Sequence, residues 1–435
     1  MKQAVLKTTL LAAMVSSSLA NAEIVNGTFE DIEFNGYFRM GGLFSVEDDL
    51  KKAKYPAQKE TLGRLGIESD NWAEASLSKI FKTSSGKEIK IKSTFGSDVH
   101  RVQNQLSTSD DPMTVGFLEN YVELKGATDS GTIWAGRRYY GKDNLIFMTD
   151  FFYTDYSGTG IGVQNYEVGD TKLEWAYLFS DRTDDNLSYF DGKNTNNMMH
   201  TLHASVALDK FEFDASVKHL PDNFDIDGKE WTDKGFDLMA AYLPDNYFGF
   251  GKGFSKVAFQ AGRGLGSGQL LGGNFTNYNA YRPGRLATGA NGQLNIAKVE
   301  AADMSYRALA YGGYFFDNGI QVFTSLQGQY NDLDNGRTEM WLSAMARPVV
   351  PLTDTFKVVS EIGYVNNSVD EAANDYWGDY EDNDTFKLSI APTWTVDSGL
   401  GPAPELRLLA TYLSDSGTNN GDSDIILGAQ VDVWW

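Results

Sequence analysis

Ile425-Ile426-Leu427-Gly428-Ala429-Gln430-Val431-Asp432-Val433-Trp434-Trp435 is the stretch that decides the fold. At the two-residue period of a β-strand, Ile425, Leu427, Ala429, Val431, Val433 and Trp435 share one face. Ile426, Gly428, Gln430, Asp432 and Trp434 share the other. The first face is apolar throughout and ends on an aromatic ring. The second mixes glycine, an amide, a carboxylate and a large ring, which suits neither a packed core nor a plain solvated surface.

The same alternation recurs along the chain. Ile32, Phe34, Phe38 and Met40 alternate with Glu33, Asn35, Tyr37 and Arg39, and Leu173, Trp175, Tyr177 and Phe179 with Lys172, Glu174 and Ala176. Phe211, Phe213, Ala215 and Val217 alternate with Glu212, Asp214, Ser216 and Lys218, and Leu406, Leu408, Ala410 and Tyr412 with Glu405, Arg407, Leu409 and Thr411. Read as one more strand, Arg64 to Leu77 places Arg64, Glu68, Asp70, Trp72 and Glu74 on one face. Between such runs lie Asp129-Ser130-Gly131, Asp225-Ile226-Asp227-Gly228, Asp317-Asn318-Gly319 and Asp334-Asn335-Gly336, residue types that tight hairpins demand. The pattern is a long antiparallel meander, with no shift of composition to divide residues 23–435 into two domains.

Residues 1–22 read as a secretory signal peptide. Lys2 and Lys7 supply a cationic start, an apolar stretch runs from Thr8 to about Ala20, and Ala20-Asn21-Ala22 before Glu23 forms a small-x-small cleavage site. No later run reaches the roughly 18 apolar residues of a spanning helix. Mean hydropathy is −0.35, yet aromatic residues make up 13% of the chain. A soluble all-β protein and a barrel whose lipid face is built from alternate residues both fit those values. The faces separate them. In a sandwich the polar face meets water and carries few aromatics, whereas in a pore the apolar face meets lipid and ends in aromatic girdles while the polar face lines the lumen. Here the apolar faces end in Trp and Tyr, which predicts an all-β, transmembrane antiparallel β-barrel. At roughly 10 residues per tilted strand plus turns and loops, the length allows about 16 to 18 strands, enough to enclose water.

The charge balance is 37 basic against 59 acidic residues. So strong an acidic excess argues against nucleic acid or anionic lipid as a partner. With no cysteine, a disulfide framework and a thiolate metal site are both excluded. His200 and His203, three apart on a strand, point to opposite faces and make a poor metal pair. The run Gly262 to Gly268 lacks the strand-to-helix context of a phosphate loop. No nucleophile with a base stands out, so the chain is not expected to be an enzyme and no cofactor is implied.

If the apolar face of the C-terminal stretch meets lipid, Trp434 points into the lumen, and the same logic sends Tyr37, Arg39 and Trp72 inward. Large rings beside charges on a wet wall fit two readings. Sugar rings stack their CH faces on aromatic planes while Arg, Asp and Glu bond their hydroxyls, and many weak contacts let a solute both enter and leave. Alternatively, the rings pack against a loop folded inward. Alternation alone leaves both open.

Four segments carry a family resemblance. They are Phe34-Asn35-Gly36-Tyr37-Phe38-Arg39, Gly63-Arg64-Leu65-Gly66, Gly131-Thr132-Ile133-Trp134-Ala135-Gly136-Arg137-Arg138-Tyr139-Tyr140 continuing through Asp150-Phe151-Phe152-Tyr153, and Gly428-Ala429-Gln430-Val431-Asp432-Val433-Trp434-Trp435. Together they resemble the maltoporins, carbohydrate-specific porins of the Gram-negative outer membrane. The resemblance implies about 18 strands, a homotrimer set in outer-membrane lipid, and a third loop folded inward as a constriction. It implies a passive channel for maltose, maltodextrins or similar oligosaccharides, with a bacteriophage and a periplasmic sugar-binding protein as further partners. The family's sugar-stacking aromatics fall on Tyr37, Trp72, Trp394 and Trp434, with Trp72 standing where the family usually has Tyr. Its polar track falls on Arg39, Arg64, Glu74, Lys142, Asp143 and Asp150, with Asn144 an alternative to Asp143. The constriction Tyr is Phe152 here, an Arg of the track is Leu118, and the Trp that reaches into the neighbouring subunit's pore is Leu106. The first-loop disulfide of some members cannot form. A porin for sucrose or a β-glucoside, and a general diffusion porin, are the alternatives.

Overall fold

The computed structural model describes residues 32–435 apart from 54–58, 69–70, 100–113, 150, 182–197, 222–229, 268–285, 290–291, 298, 335, 370–372, 376–377, 381–382, 397–403 and 415–422. The signal peptide expected at 1–22, Asp70, Leu106, Asp150 and the turn at 225–228 lie outside the described residues.

The barrel strands are β1 (Ile32–Ser45), β2 (Asn71–Lys82), β3 (Glu88–Val99), β4 (Thr114–Lys125), β5 (Thr132–Arg138) and β6 (Gly158–Val168). Next come β7 (Thr171–Asp181), β8 (Met198–Leu208), β9 (Phe211–His219), β10 (Lys234–Tyr242), β11 (Gly253–Gly264) and β12 (Met304–Phe315). The last are β13 (Gln321–Asp332), β14 (Thr338–Thr353), β15 (Phe356–Val369), β16 (Asn383–Thr395), β17 (Glu405–Leu413) and β18 (Asp424–Trp434). Each pairs antiparallel with the next, and β18 pairs with β1, so an 18-stranded sheet closes on itself. Closure satisfies every strand edge, the condition for a sheet to cross lipid. Short turns such as 83–87, 126–131 and 169–170 gather at one end and long connections such as 46–70, 139–157 and 265–303 at the other. In barrels of this kind the short turns are periplasmic and the long connections external.

Polarity is inverted relative to a soluble protein. Leu326 is 63% exposed, Leu202 57% and Phe34 56%, whereas Lys387, Glu361 and Ser389 on the inner face are 0% exposed. Such a pattern is stable only if lipid covers the outside. At the closing seam Trp435 packs outward on Phe34 and Phe38, with ring centroids 5.6 and 6.4 Å away. Gly36 lies under that ring, where an added Cβ would come within 2.1 Å of it.

Two segments pack against the inner wall. The first comprises α1 (Lys59–Leu62) and the turn that follows it. Leu62, Leu65 and Ile67 cluster with Trp341, Val365, Leu409, Leu413 and Ile426, while Ser389 Oγ donates to the Leu65 carbonyl at 2.7 Å. The strand expected to begin at Arg64 therefore begins at Asn71. Gly63 and Gly66 hold φ of +84° and +76°, outside the strand region, and break the alternation.

The second segment is 139–157, between β5 and β6. Arg347 Nη2 donates to the Met148 carbonyl at 2.9 Å and Gln260 Nε2 to the Tyr153 carbonyl at 2.9 Å. Tyr156 donates to Asp237 Oδ1 at 2.6 Å, and Tyr140 Oη lies 2.9 Å from His203 Nδ1. Those partners sit on β14, β11, β10 and β8, each on the face opposite the exposed apolar side chains.

Candidate functional site

β2, β1 and β18 are neighbours, and their register brings three aromatic side chains together on the inner face. Tyr37 lies opposite Glu74 on one side and Trp434 on the other, and Arg39 lies opposite Trp72 and Asp432. Trp72, Tyr37 and Trp434 thus form a diagonal that runs from the long-connection end towards the short-turn end. Polar groups hold the rings in place. Arg39 Nη1 donates to Tyr37 Oη at 2.9 Å, and Trp72 Nε1 and Tyr139 Oη each donate to Glu74 Oε2 at 3.3 Å.

Two cavities meet at Tyr37. The outer, of about 730 Å³, is lined by Tyr37, Trp72, Glu74, Tyr139, Lys142 and Phe152 among others. Lys142 Nζ sits 4.2 Å from the Tyr139 ring centroid and 4.5 Å from that of Phe152, a cation between two π faces. Asp143 also lines this cavity. Asn144 instead is buried, donating to Thr154 Oγ1 at 2.7 Å and accepting from Tyr153 at 3.1 Å.

The inner cavity, of about 480 Å³, is lined by Tyr37, Trp434, Arg64, Arg407, Asp432 and Lys357 with others. A charge ladder runs along it. Lys357 pairs with Glu405, which pairs with Arg407. Arg407 Nη1 and Arg64 Nη2 reach Asp432 Oδ2 at 3.2 and 2.6 Å, and Arg64 Nε and Arg39 Nη1 reach Glu68 Oε2 at 3.0 and 3.1 Å. Burial pushes the Glu68 carboxyl up, but Arg64, Lys59 and Arg39 outweigh it and hold the group at about 2. Alternating signs make a wall with charged donors and acceptors along its length.

Trp394 departs from expectation. Along β16, Thr385, Lys387, Ser389, Ala391 and Thr393 face inward and are buried, which puts Trp394 outward. It is 47% exposed and packs on Phe356 at 5.1 Å between centroids. Its place is in the aromatic girdle and not on the inner wall. Leu118, at a register shift between β3 and β4, packs over Gly96, where a Cβ would meet it at 2.4 Å.

Sequence reasoning did not single out Tyr139, Lys357, Glu405 or Arg407, all on these walls. Glu405 and Arg407 were within reach, since they alternate with Leu406 and Leu408; nothing in the sequence marked Lys357. Phe147 and Phe323, T-shaped at 4.5 Å and also lining the inner cavity, gave no signal either. Among the described residues no three His, Cys, Asp or Glu side chains group as a metal site would need.

Residues 32–435 match the family model for the LamB porin. The maltoporin of Vibrio cholerae serotype O1 is 30% identical over 454 residues, covering 99% of this chain and 100% of the relative. The maltoporin of Hahella chejuensis is 25% identical, covering 98% and 97%. Among solved structures, Salmonella typhi OmpF in complex with daunomycin aligns with a TM-score of 0.46 at 12% identity, covering 92% of this chain and 97% of that one. The anion-selective porin from Comamonas acidovorans aligns with a TM-score of 0.45 at 8% identity, covering 93% and 99%. With its whole barrel matched, the chain belongs to the LamB porin family and is a porin of the Gram-negative outer membrane.

Proposed function

We propose that this porin is a passive channel for maltose, maltodextrins or similar oligosaccharides, which slide along Trp72, Tyr37 and Trp434 while the facing charges exchange hydrogen bonds with their hydroxyls. The observation that carries this reading is the register of β2, β1 and β18, which lines up three rings on one inner face beside an alternating ladder of charge. The relatives named maltoporin support it. Segment 139–157 forms the constriction between the two cavities, with Lys142 and Phe152 at its edge; its hydrogen bonds to inner-face residues of four strands support this placement.

The working unit is a homotrimer, with β3 to β5 at the contact between subunits. Asn120 accepts from Ser93 at 2.8 Å and lies opposite Arg137, and all three side chains point out from the barrel. A lipid-facing Arg at the bilayer midplane costs about 2–4 kcal/mol, and a neighbouring subunit over this patch removes that cost.

Single-channel conductance during sugar titration tests the reading. A stacked sugar blocks ion current saturably, so maltohexaose is expected to reduce it. If maltohexaose and sucrose both leave the current unchanged, the channel is a general diffusion pore.

A further inference from the structure

Four basic side chains share one spot on the lipid-facing wall. His200 lies opposite His219, and His219 opposite Lys234. Arg263 lies opposite Phe236, one outward position below Lys234. The four alternate with the inward residues Thr201, Lys218, Gly235 and Gly262, so they point the same way as Leu202, Val217 and Phe236. All sit at the ends of β8 to β11 where the long connections 182–197, 220–233 and 265–303 begin or end, which is the external rim.

The local chemistry is built from side chains of neighbouring strands. Tyr177 Oη lies 2.6 Å from His200 Nδ1 with the two rings stacked at 11°; with the tyrosine hydroxyl donating to Nδ1, the proton of a neutral His200 sits on Nε2. The His200 and His219 rings stack at 22°. Among the described residues, the acidic group paired with the spot is Asp233, whose Oδ2 is 3.7 Å from both His219 Nδ1 and Lys234 Nζ. Arg263 spends its Nε on the Ala301 carbonyl at 2.9 Å, and its side chain is exposed. In a chain with 59 acidic and 37 basic residues, a basic cluster on the wall that meets lipid runs against composition.

We propose that Lys234, Arg263 and His200 bind the phosphate group of a phosphorylated glycolipid in the external leaflet. Aromatic side chains, Tyr177 and Phe179 on β7, set the cluster at headgroup depth. Lys and Arg supply the charge, and the His200 edge adds a directed donor. The overall acidic balance, which argued against anionic lipid, is outweighed at this one site because charges act within about a Debye length.

The test uses the purified full-length porin in detergent, titrated with bis-phosphorylated lipid A and with its dephosphorylated form, binding being read by native mass spectrometry. The wild type should prefer the phosphorylated lipid by roughly tenfold or more, and the double variant Lys234→Ala, Arg263→Ala should lose that preference. Both residues are exposed, so heat-modifiable mobility should confirm an intact barrel. Equal binding of the two lipids, or a preference that survives in the double variant, overturns the site. Displacement of bound lipid by millimolar inorganic phosphate alone overturns the assignment to a lipid. Sugar block of the current should be unchanged in the double variant, which separates this proposal from the sugar-channel reading.

Discussion

The two segments that pack against the inner wall are held by different physics. Residues 59–68 rest on a buried ion cluster. Glu361 accepts from Leu65 N at 3.0 Å and from Lys387 Nζ at 2.6 Å, pairs with Arg347, and is fully buried. Residues 139–157 are instead tied by two tyrosine hydroxyls and a side-chain amide to β8, β10 and β11, and share with the first segment Arg347 on β14, whose guanidinium also bonds the Met148 carbonyl. In the first case, removing one charge strands the others in a dry setting; in the second, each bond is one of many. The first segment is therefore fixed to the wall by charge, and the second owes its place to the sum of modest contacts.

Glu361→Gln should show the largest effect, since Lys387 and Arg347 would stay buried without their counter-charge. A loss of about 3–5 kcal/mol is expected, read as a shift in the urea midpoint together with new protease cleavage within residues 59–68. Acid should act on the same segment. Glu68 titrates at about 2 when folded against an ordinary 4.5, so its contribution is complete above the unfolded value and fades as pH falls towards 2. Protection of residues 59–68 from pepsin should accordingly persist at pH 5 and drop progressively below pH 4, while that of 139–157 should change less. Gly66→Ala combines a φ of +76° with a Cβ only 1.8 Å from Thr411 Oγ1, for an expected cost of about 1–3 kcal/mol by the same urea assay. Tyr156→Phe removes one hydroxyl from Asp237, which keeps Ser216 and Lys218, and should cost only about 1 kcal/mol. If Tyr156→Phe costs as much as Glu361→Gln, the contrast between the two segments is wrong.

The barrel was open to reading from sequence because its strands separate lipid from water, and that boundary imprints a period of two. β18 shows it best, with Val431, Val433 and Trp435 on one side and Asp432 and Trp434 on the other. Residues 59–68 were not legible. Arg64, Glu68 and Trp72 fall at even spacing, so a turn imitates a strand, and Gly63 and Gly66 were the cue that it is not one. Trp394 shows a different failure. Family resemblance put it on the sugar path, whereas its own strand, read as Lys387, Ser389, Ala391 and Thr393 against Leu388, Ile390 and Pro392, sends it outward. The lipid-facing basic cluster escaped because His200, His219, Lys234 and Arg263 come from four strands, and only register brings them together.

Trp434 and Trp394 are both half-exposed rings, one inward and one outward. Maltohexaose titration of single-channel current should give a half-blocking concentration raised about tenfold by Trp434→Ala and unchanged by Trp394→Ala. An equal rise in both variants, or a rise in Trp394→Ala alone, would contradict the account.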